Sequence, residues 1–142
     1  MKLFLDANVI FTATYSTQGL SRGLFRLSVA GKYSLCTSAF AHEEAVRNIR
    51  NKAPGKLVDL IELMKQVDIL PEPHPKWVTW AAVLPLARKD APVLAAALQG
   101  KVDIFVTGDR RDFGYLFGQV LEGVKILTPA DALVAVTLLG RC

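Results

Sequence analysis

Two cysteines and two histidines are all that 142 residues offer for thiol or imidazole chemistry. Cys36 sits inside an apolar stretch and Cys142 is the last residue, so neither a disulfide framework nor a zinc-type Cys/His spacing exists. Cys36 is expected to be a small buried hydrophobe. His42 and His74 have no partner in the pattern around them, which excludes a histidine-based nucleophile system. No uninterrupted apolar run is long enough to span a bilayer, and Asp6 breaks the first apolar run before it resembles a signal peptide. A soluble, cytoplasmic protein with no membrane partner is therefore expected. Repeats and low-complexity tracts are also missing. The length predicts a single domain, 1–142, able to bury a core without disulfides or a structural metal.

What the chain does have is a small excess of positive charge, +4, alongside acids placed at conspicuous points. The run Ile104-Phe105-Val106 stops abruptly at Thr107-Gly108 and is followed by Asp109 and Asp112. The chain opens in the same way, with Lys2-Leu3-Phe4-Leu5 running into Asp6-Ala7-Asn8. Two buried strands that each end in aspartate bring their acids together at one edge of a parallel sheet. Carboxylates gathered there repel one another unless a cation lies between them, which points to a divalent-metal site. A basic remainder around an acidic site suits a phosphate-bearing partner.

Along the chain, apolar stretches alternate with helical patterns. Lys2–Leu5, Tyr33–Thr37, Asp68–Leu70, Val102–Val106 and Val124–Leu127 read as strands. Helices are predicted from Val9, from Ser21 as a cap to Gly31, from Thr37 or Ser38 through Glu44, over Lys56–Val67, over Asp90–Gln99, over Phe113–Val120 and from Thr128-Pro129. Trp77–Leu84 is ambiguous, and Trp77 and Trp80 read as core or interface residues rather than base-stacking platforms. The alternation predicts a parallel sheet with right-handed crossovers and helices on both faces. If strands two and three are laid down on one side, strands one and four become neighbours. Asp6 and Asp109 then converge at the switch point where such sheets bind ligands.

Four acids stand out, Asp6, Glu44, Asp90 and Asp109, with Asp112 as a fifth. The pieces Leu5-Asp6-Ala7-Asn8, Ser38 to Glu44, Asp90-Ala91-Pro92 with Ala95-Ala96-Ala97, and Val106-Thr107-Gly108-Asp109 resemble, in order and spacing, the PIN-domain family of metal-dependent nucleases. The resemblance spans nearly the whole chain. It implies a three-layer α/β/α fold with a central parallel sheet of about five strands. It also implies cleavage of RNA phosphodiester bonds with magnesium or manganese held by Asp6, Glu44, Asp90 and Asp109. Asp112 falls at a position that varies in the family and is carried as an accessory metal ligand. Glu43 and Glu44 are adjacent; counting from Ser38 favours Glu44. Asn8 and Thr107 look like supporting residues that hydrogen-bond the acids. Many family members are toxins of toxin–antitoxin pairs, so an antitoxin protein and a homodimer are implied partners beside RNA; the apolar helix Ala132–Leu139 also suits a dimer.

Arg47 and Arg50, with Lys52 and Lys56, follow Glu44, and Arg110 and Arg111 adjoin Asp109. These are candidate phosphate contacts that would hold RNA by charge without reading bases. Each acid alone has a structural reading too: Asp90 and Asp109 as helix caps, Glu43 and Glu44 as solvated surface charges. Aspartate-nucleophile phosphatases need a second aspartate where Asn8 stands, and a receiver-type domain needs one after strand three, where Leu70 meets Pro71. The competing non-enzyme reading is a PIN-like RNA- or protein-binding module without catalysis.

Overall fold

Phe4 and Phe105 stack at 5.3 Å between ring centroids, joining the first strand of the chain to the fourth. The computed structural model describes residues 1–139, so Cys142 lies outside the described residues. Strand β1 (Lys2–Leu5) is followed by α1 (Ala7–Tyr15), α2 (Leu20–Ser28) and β2 (Ser34–Thr37). Helix α3 (Ala39–Lys52), a 3-10 turn, α4 (Leu57–Met64) and β3 (Val67–Ile69) come next. Helices α5 (Pro75–Ala82) and α6 (Asp90–Gln99) lead into β4 (Ile104–Val106). The chain ends with α7 (Arg110–Phe113), a second 3-10 turn, β5 (Val120–Leu121), β6 (Val124–Leu127) and α8 (Pro129–Leu138).

The strands form one sheet in the order β3-β2-β1-β4-β6-β5, and every pairing is parallel except β5 with β6. This is the expected α/β architecture, with five parallel strands and a short sixth. Strands two and three do lie on one side of β1 and strand four on the other, so the winding reverses between β1 and β4. Leu3, Phe4, Leu5, Ile104, Phe105 and Val106 are all buried, which is why neither strand alternates in polarity. Helix α1 packs on α2, α3 and α4, α2 packs on α8, and α5 packs on α6. With right-handed crossovers these groups cover opposite faces of the sheet.

The ends of β1 and β4 are fixed by more than the strand ladder. The Asp6 amide donates to the Val106 carbonyl at 3.0 Å, and the Thr107 amide donates to Leu127 at 3.1 Å. Buried Thr37 donates its hydroxyl to the Leu5 carbonyl at 2.7 Å, tying β2 to the same edge. Cys36 is buried as expected, and burial pushes its thiol up to about 12, so it is inert.

Several boundaries differ from the sequence expectation for local reasons. The helix predicted over Phe113–Val120 is instead α7, a 3-10 turn and strand β5. Gly118 adopts φ +83 and donates its amide to Ile126 at 2.8 Å, which swings the chain back beside β6. Glu122 and Gly123, both at positive φ, then make a two-residue hairpin of the kind that fits strand twist. Ser21 is not a cap; the cap position of α2 is Gly19 and Ser21 lies inside the first turn. Ser38 caps α3, accepting from Ala41 at 3.1 Å. Asp90 is the first residue of α6 rather than its cap, which is Lys89. The tryptophan segment is helix α5, with Trp77 and Trp80 partly buried against the core. The apolar helix near the C-terminus packs on α2, β4 and β6.

Phe105 also meets Phe113 at 5.2 Å, so its ring joins β1, β4 and α7. Phe105→Ala is expected to cost about 3–5 kcal/mol of unfolding free energy in urea titration, the range for a buried aromatic cut to alanine. A loss below about 1 kcal/mol would show that the aromatic stack is not what locks the two strands.

Candidate active site

Asp6 sits at the end of β1, 3% exposed, and its two oxygens are already engaged by the protein. One accepts from the Ala7 amide at 2.8 Å, capping α1. The other accepts from the Thr107 hydroxyl at 2.8 Å and from the Asn8 side-chain amide at 3.1 Å. Asn8 reaches across to the second strand end, because its carbonyl oxygen accepts from the Gly108 amide at 2.7 Å. A side chain on Gly108 would press on that oxygen at 3.3 Å, so the small residue permits the close approach. The Thr107 hydroxyl in turn accepts from the Asp109 amide at 3.1 Å. Asn8 and Thr107 therefore knit the ends of β1 and β4 into one unit and orient the acids on it.

Asp109 caps the four-residue helix α7, accepting from the Asp112 amide at 3.1 Å. That turn brings Asp112 back toward Asp109, and α6 delivers Asp90 to the same place. One oxygen from each of Asp90, Asp109 and Asp112 lies within 4.8 Å of the other two. Asp90 is 5% exposed, and its Oδ2 atom has no hydrogen-bond partner. Burial, then a hydrogen bond with Asp112, then the charges of Asp6, Asp112 and Asp109 push the Asp90 carboxyl up to about 8. Burial raises Asp6 to about 6, against the lowering effect of its bonds from Thr107 and Ala7. The two carboxylates Asp90 and Asp112 can hydrogen-bond each other only by sharing a proton. When that proton is gone, the buried Asp90 oxygen has nothing opposite it.

A cleft of about 360 Å³ opens over these acids, walled by Asp6, Asn8, Glu44, Lys89, Asp90 and Asp109 among others. Glu44 faces it, whereas neighbouring Glu43 lies in a different cleft with His42, Arg47 and Arg50. Lys89 leans over the mouth and bonds Glu44 at 3.2 Å. This exposed pair is worth about 0–1 kcal/mol, so its effect is on placement rather than stability. Asn48 and Lys52 extend the Glu44 wall one and two turns further along α3, with Lys52 5.5 Å above the Phe11 ring.

The donor set suits a hard divalent cation. Three carboxylates converge, and one buried oxygen lacks any partner, which magnesium or manganese would satisfy and a soft metal would not. The pattern expected from the sequence is thus reordered in space. Asp90 and Asp109 meet as expected; Asp112, taken as accessory, stands in the same tight group. Asp6 and Glu44 form the flanking walls. Arg47 and Arg50 are not brought to this cleft, and exposed Arg110 lines a neighbouring one. Lys89 and Asn48 were not singled out from the sequence, although the i, i+4 spacing of Glu44, Asn48 and Lys52 was visible there.

Comparison with known proteins fits this geometry. The family model described as PIN domain matches residues 2–111. The chain belongs to the PIN-domain family. Its match covers Asp6, Glu44, Asp90 and Asp109 but stops one residue short of Asp112. This PIN domain is similar in fold to VapBC2 from Rickettsia felis, solved bound to a DNA fragment from its promoter. There the TM-score is 0.72 at 12% identity, covering 90% of this chain and 98% of that one. It is also similar to PAE2754 from Pyrobaculum aerophilum, with TM-score 0.63 at 17% identity over 97% and 99% of the two chains. A third likeness is to FitAcB from Neisseria gonorrhoeae, with TM-score 0.59 at 16% identity over 90% and 98%. No curated protein matches the sequence. Among the described residues of this PIN domain, no helix is long and apolar enough to cross a membrane.

The raised carboxyls fix how metal-free stability responds to pH. Asp6 and Asp90 hold protons in the folded state that the unfolded chain, with carboxyls near 3.8, has already released. Stability therefore falls as pH rises, through about 6 for Asp6 and about 8 for Asp90, and the loss is complete above that. In chelator, the melting temperature is expected to be lower at about pH 8.5 than at about pH 5.5, and manganese should restore more of it at the higher pH. Asp90→Asn should raise the metal-free melting temperature at the higher pH and shrink the manganese effect. A chelated protein that gains stability between the two pH values would contradict the assignment.

Proposed function

We propose that this chain is a metal-dependent endoribonuclease acting as one PIN-like domain, and that its carboxylate cleft is the catalytic centre. The observation that carries this reading is the convergence of Asp90, Asp109 and Asp112 with an unpartnered buried oxygen on Asp90. Those three residues would hold magnesium or manganese, with Asp6 and Glu44 as flanking ligands, direct or through water. When bound, such an ion supplies charge neutralisation at the scissile phosphate and activation of water for hydrolysis.

The chain's own residues supply the rest. Asn8 and Thr107 hold Asp6 and the Asp109 turn in a fixed relation, as the outer ligands of a metal centre usually do. Lys89 and Lys52 place positive charge on the cleft wall, where the other charged residues are all acids. The recognition we propose rests on contacts to the phosphate backbone. The overall charge of +4 favours the approach of a polyanion such as RNA.

A toxin role within a toxin–antitoxin pair is the biological setting we propose, supported by similarity in fold to VapBC2 and FitAcB. Under that reading a small antitoxin protein would cover the cleft, and a homodimer is the expected assembly. The competing reading, a non-catalytic PIN-like module, has no use for an acid cluster that destabilises its own fold.

Single-stranded RNA should be cleaved with magnesium or manganese and left intact with chelator. Asn8→Ala should lower the cleavage rate about 10- to 100-fold, the usual cost of losing an outer partner of a metal ligand, while Asp6→Asn and Asp109→Asn should lower it further. Undiminished cleavage by the two aspartate variants would sink the mechanism. A protein that neither cleaves RNA nor binds manganese by calorimetry would favour the non-catalytic module.

A further inference from the structure

A second cleft, of about 320 Å³, adjoins the acid cleft and is unlike it in charge. Asn8, Thr12 and Gly108 line both, so a strand crossing the Asn8–Gly108 ridge leaves one and enters the other. No residue lining the second cleft is acidic, and Arg110 stands on its wall.

The N-terminus of α2 forms part of this wall. Its cap position is Gly19, which has no side chain with which to cap, and the helix runs nine residues. The amides of Leu20, Ser21 and Arg22 have no acceptor among the described residues, as expected for an uncapped first turn. Ser21 lines the cleft, is only 3% exposed, and its hydroxyl makes no hydrogen bond within the described chain. Its oxygen opens to the cleft, so the bond that this hydroxyl lacks within the described chain is one that a group entering the cleft can supply. Three free amides at a positive helix end, a waiting hydroxyl and an arginine together match the chemistry of one tetrahedral anion.

We propose that this cleft is a phosphate subsite, holding a backbone phosphate of the RNA strand next to the scissile linkage. The inference rests on the nuclease reading above, because it takes its ligand from the continuity between the two clefts. A phosphate held by Ser21, the first turn of α2 and Arg110 would anchor the strand on one side of the acid centre. The cutting register is then set by backbone spacing and not by base identity. Arg110 thereby differs from Arg47 and Arg50, which face another groove.

Single neutral methylphosphonate linkages, moved one position at a time through a short single-stranded RNA, test this. Binding is followed by fluorescence anisotropy in the non-cleaving Asp90→Asn chain, with and without Ser21→Ala and Arg110→Ala together. In the parent one linkage should stand out, its neutralisation weakening binding about tenfold, as for loss of a charge-assisted contact. In the double variant the same linkage should matter less than about twofold. Melting curves of the parent and double variant should coincide, since the first turn of α2 keeps its backbone.

Parallel linkage profiles in the two proteins would overturn the subsite while leaving the nuclease reading intact. RNA that binds neither the parent nor the metal-loaded wild type would remove both. A flat RNA profile together with weaker binding of an aspartate-rich peptide by the double variant would also overturn the subsite, assigning the cleft to a protein partner.

Discussion

Like charges held close in a poorly solvated place are the constraint on which this molecule turns. The sheet reverses its winding between β1 and β4, so two strand-end turns carrying aspartates are forced side by side. The fold answers one of them in part: Asp6 receives hydrogen bonds from Ala7, Asn8 and Thr107. It leaves the other group unresolved, since Asp90, Asp109 and Asp112 face one another and none of the three makes a salt bridge among the described residues. The polypeptide is thus folded against an electrostatic opposition that a divalent cation would remove. Under the proposed function, stability and activity would draw on the same carboxylates with opposite sign, a trade familiar at functional sites.

Much of this was legible in the residues because the strongest signals were one-dimensional. An apolar run that ends in aspartate identifies a buried strand and its terminal acid together, and it did so for Leu5-Asp6 and for Val106 through Asp109. The neighbour relation of β1 and β4 followed on the condition that strands two and three lie on one side, which the sheet order meets. What stayed hidden depends on rotation about a helix axis, at about 100° per residue. Glu43 and Glu44 cannot be told apart by proximity in sequence, yet one turns into the acid cleft and the other away. The same rotation sends Arg47 and Arg50 to a different groove while Asn48 and Lys52 join Glu44.

The position of Asp112 was hidden for a related reason. Its place depends on Asp109 capping a helix only four residues long, a local event that leaves no periodic trace. The hairpin of β5 and β6 was missed because Phe113–Val120 carries helix-compatible residues, and two glycines at positive φ decide the matter. Ser21 was read as a cap when the structure makes it a buried hydroxyl inside the first turn. In each case the sequence pattern was sound and one backbone torsion or one capping bond redirected it.

The short sixth strand has a consequence for how this protein can meet others. A sheet grows by offering unpaired amides and carbonyls along a long, flat rim. Here one rim is the two-residue β5, bent back through a tight turn, and the other is the three-residue β3, with Pro71 two positions beyond its end. Neither side presents enough backbone to template another chain. Short edges of this kind disfavour association by sheet extension and favour contact through side chains on the helical layers, which guards a mildly basic, apolar-rich chain against indiscriminate stacking.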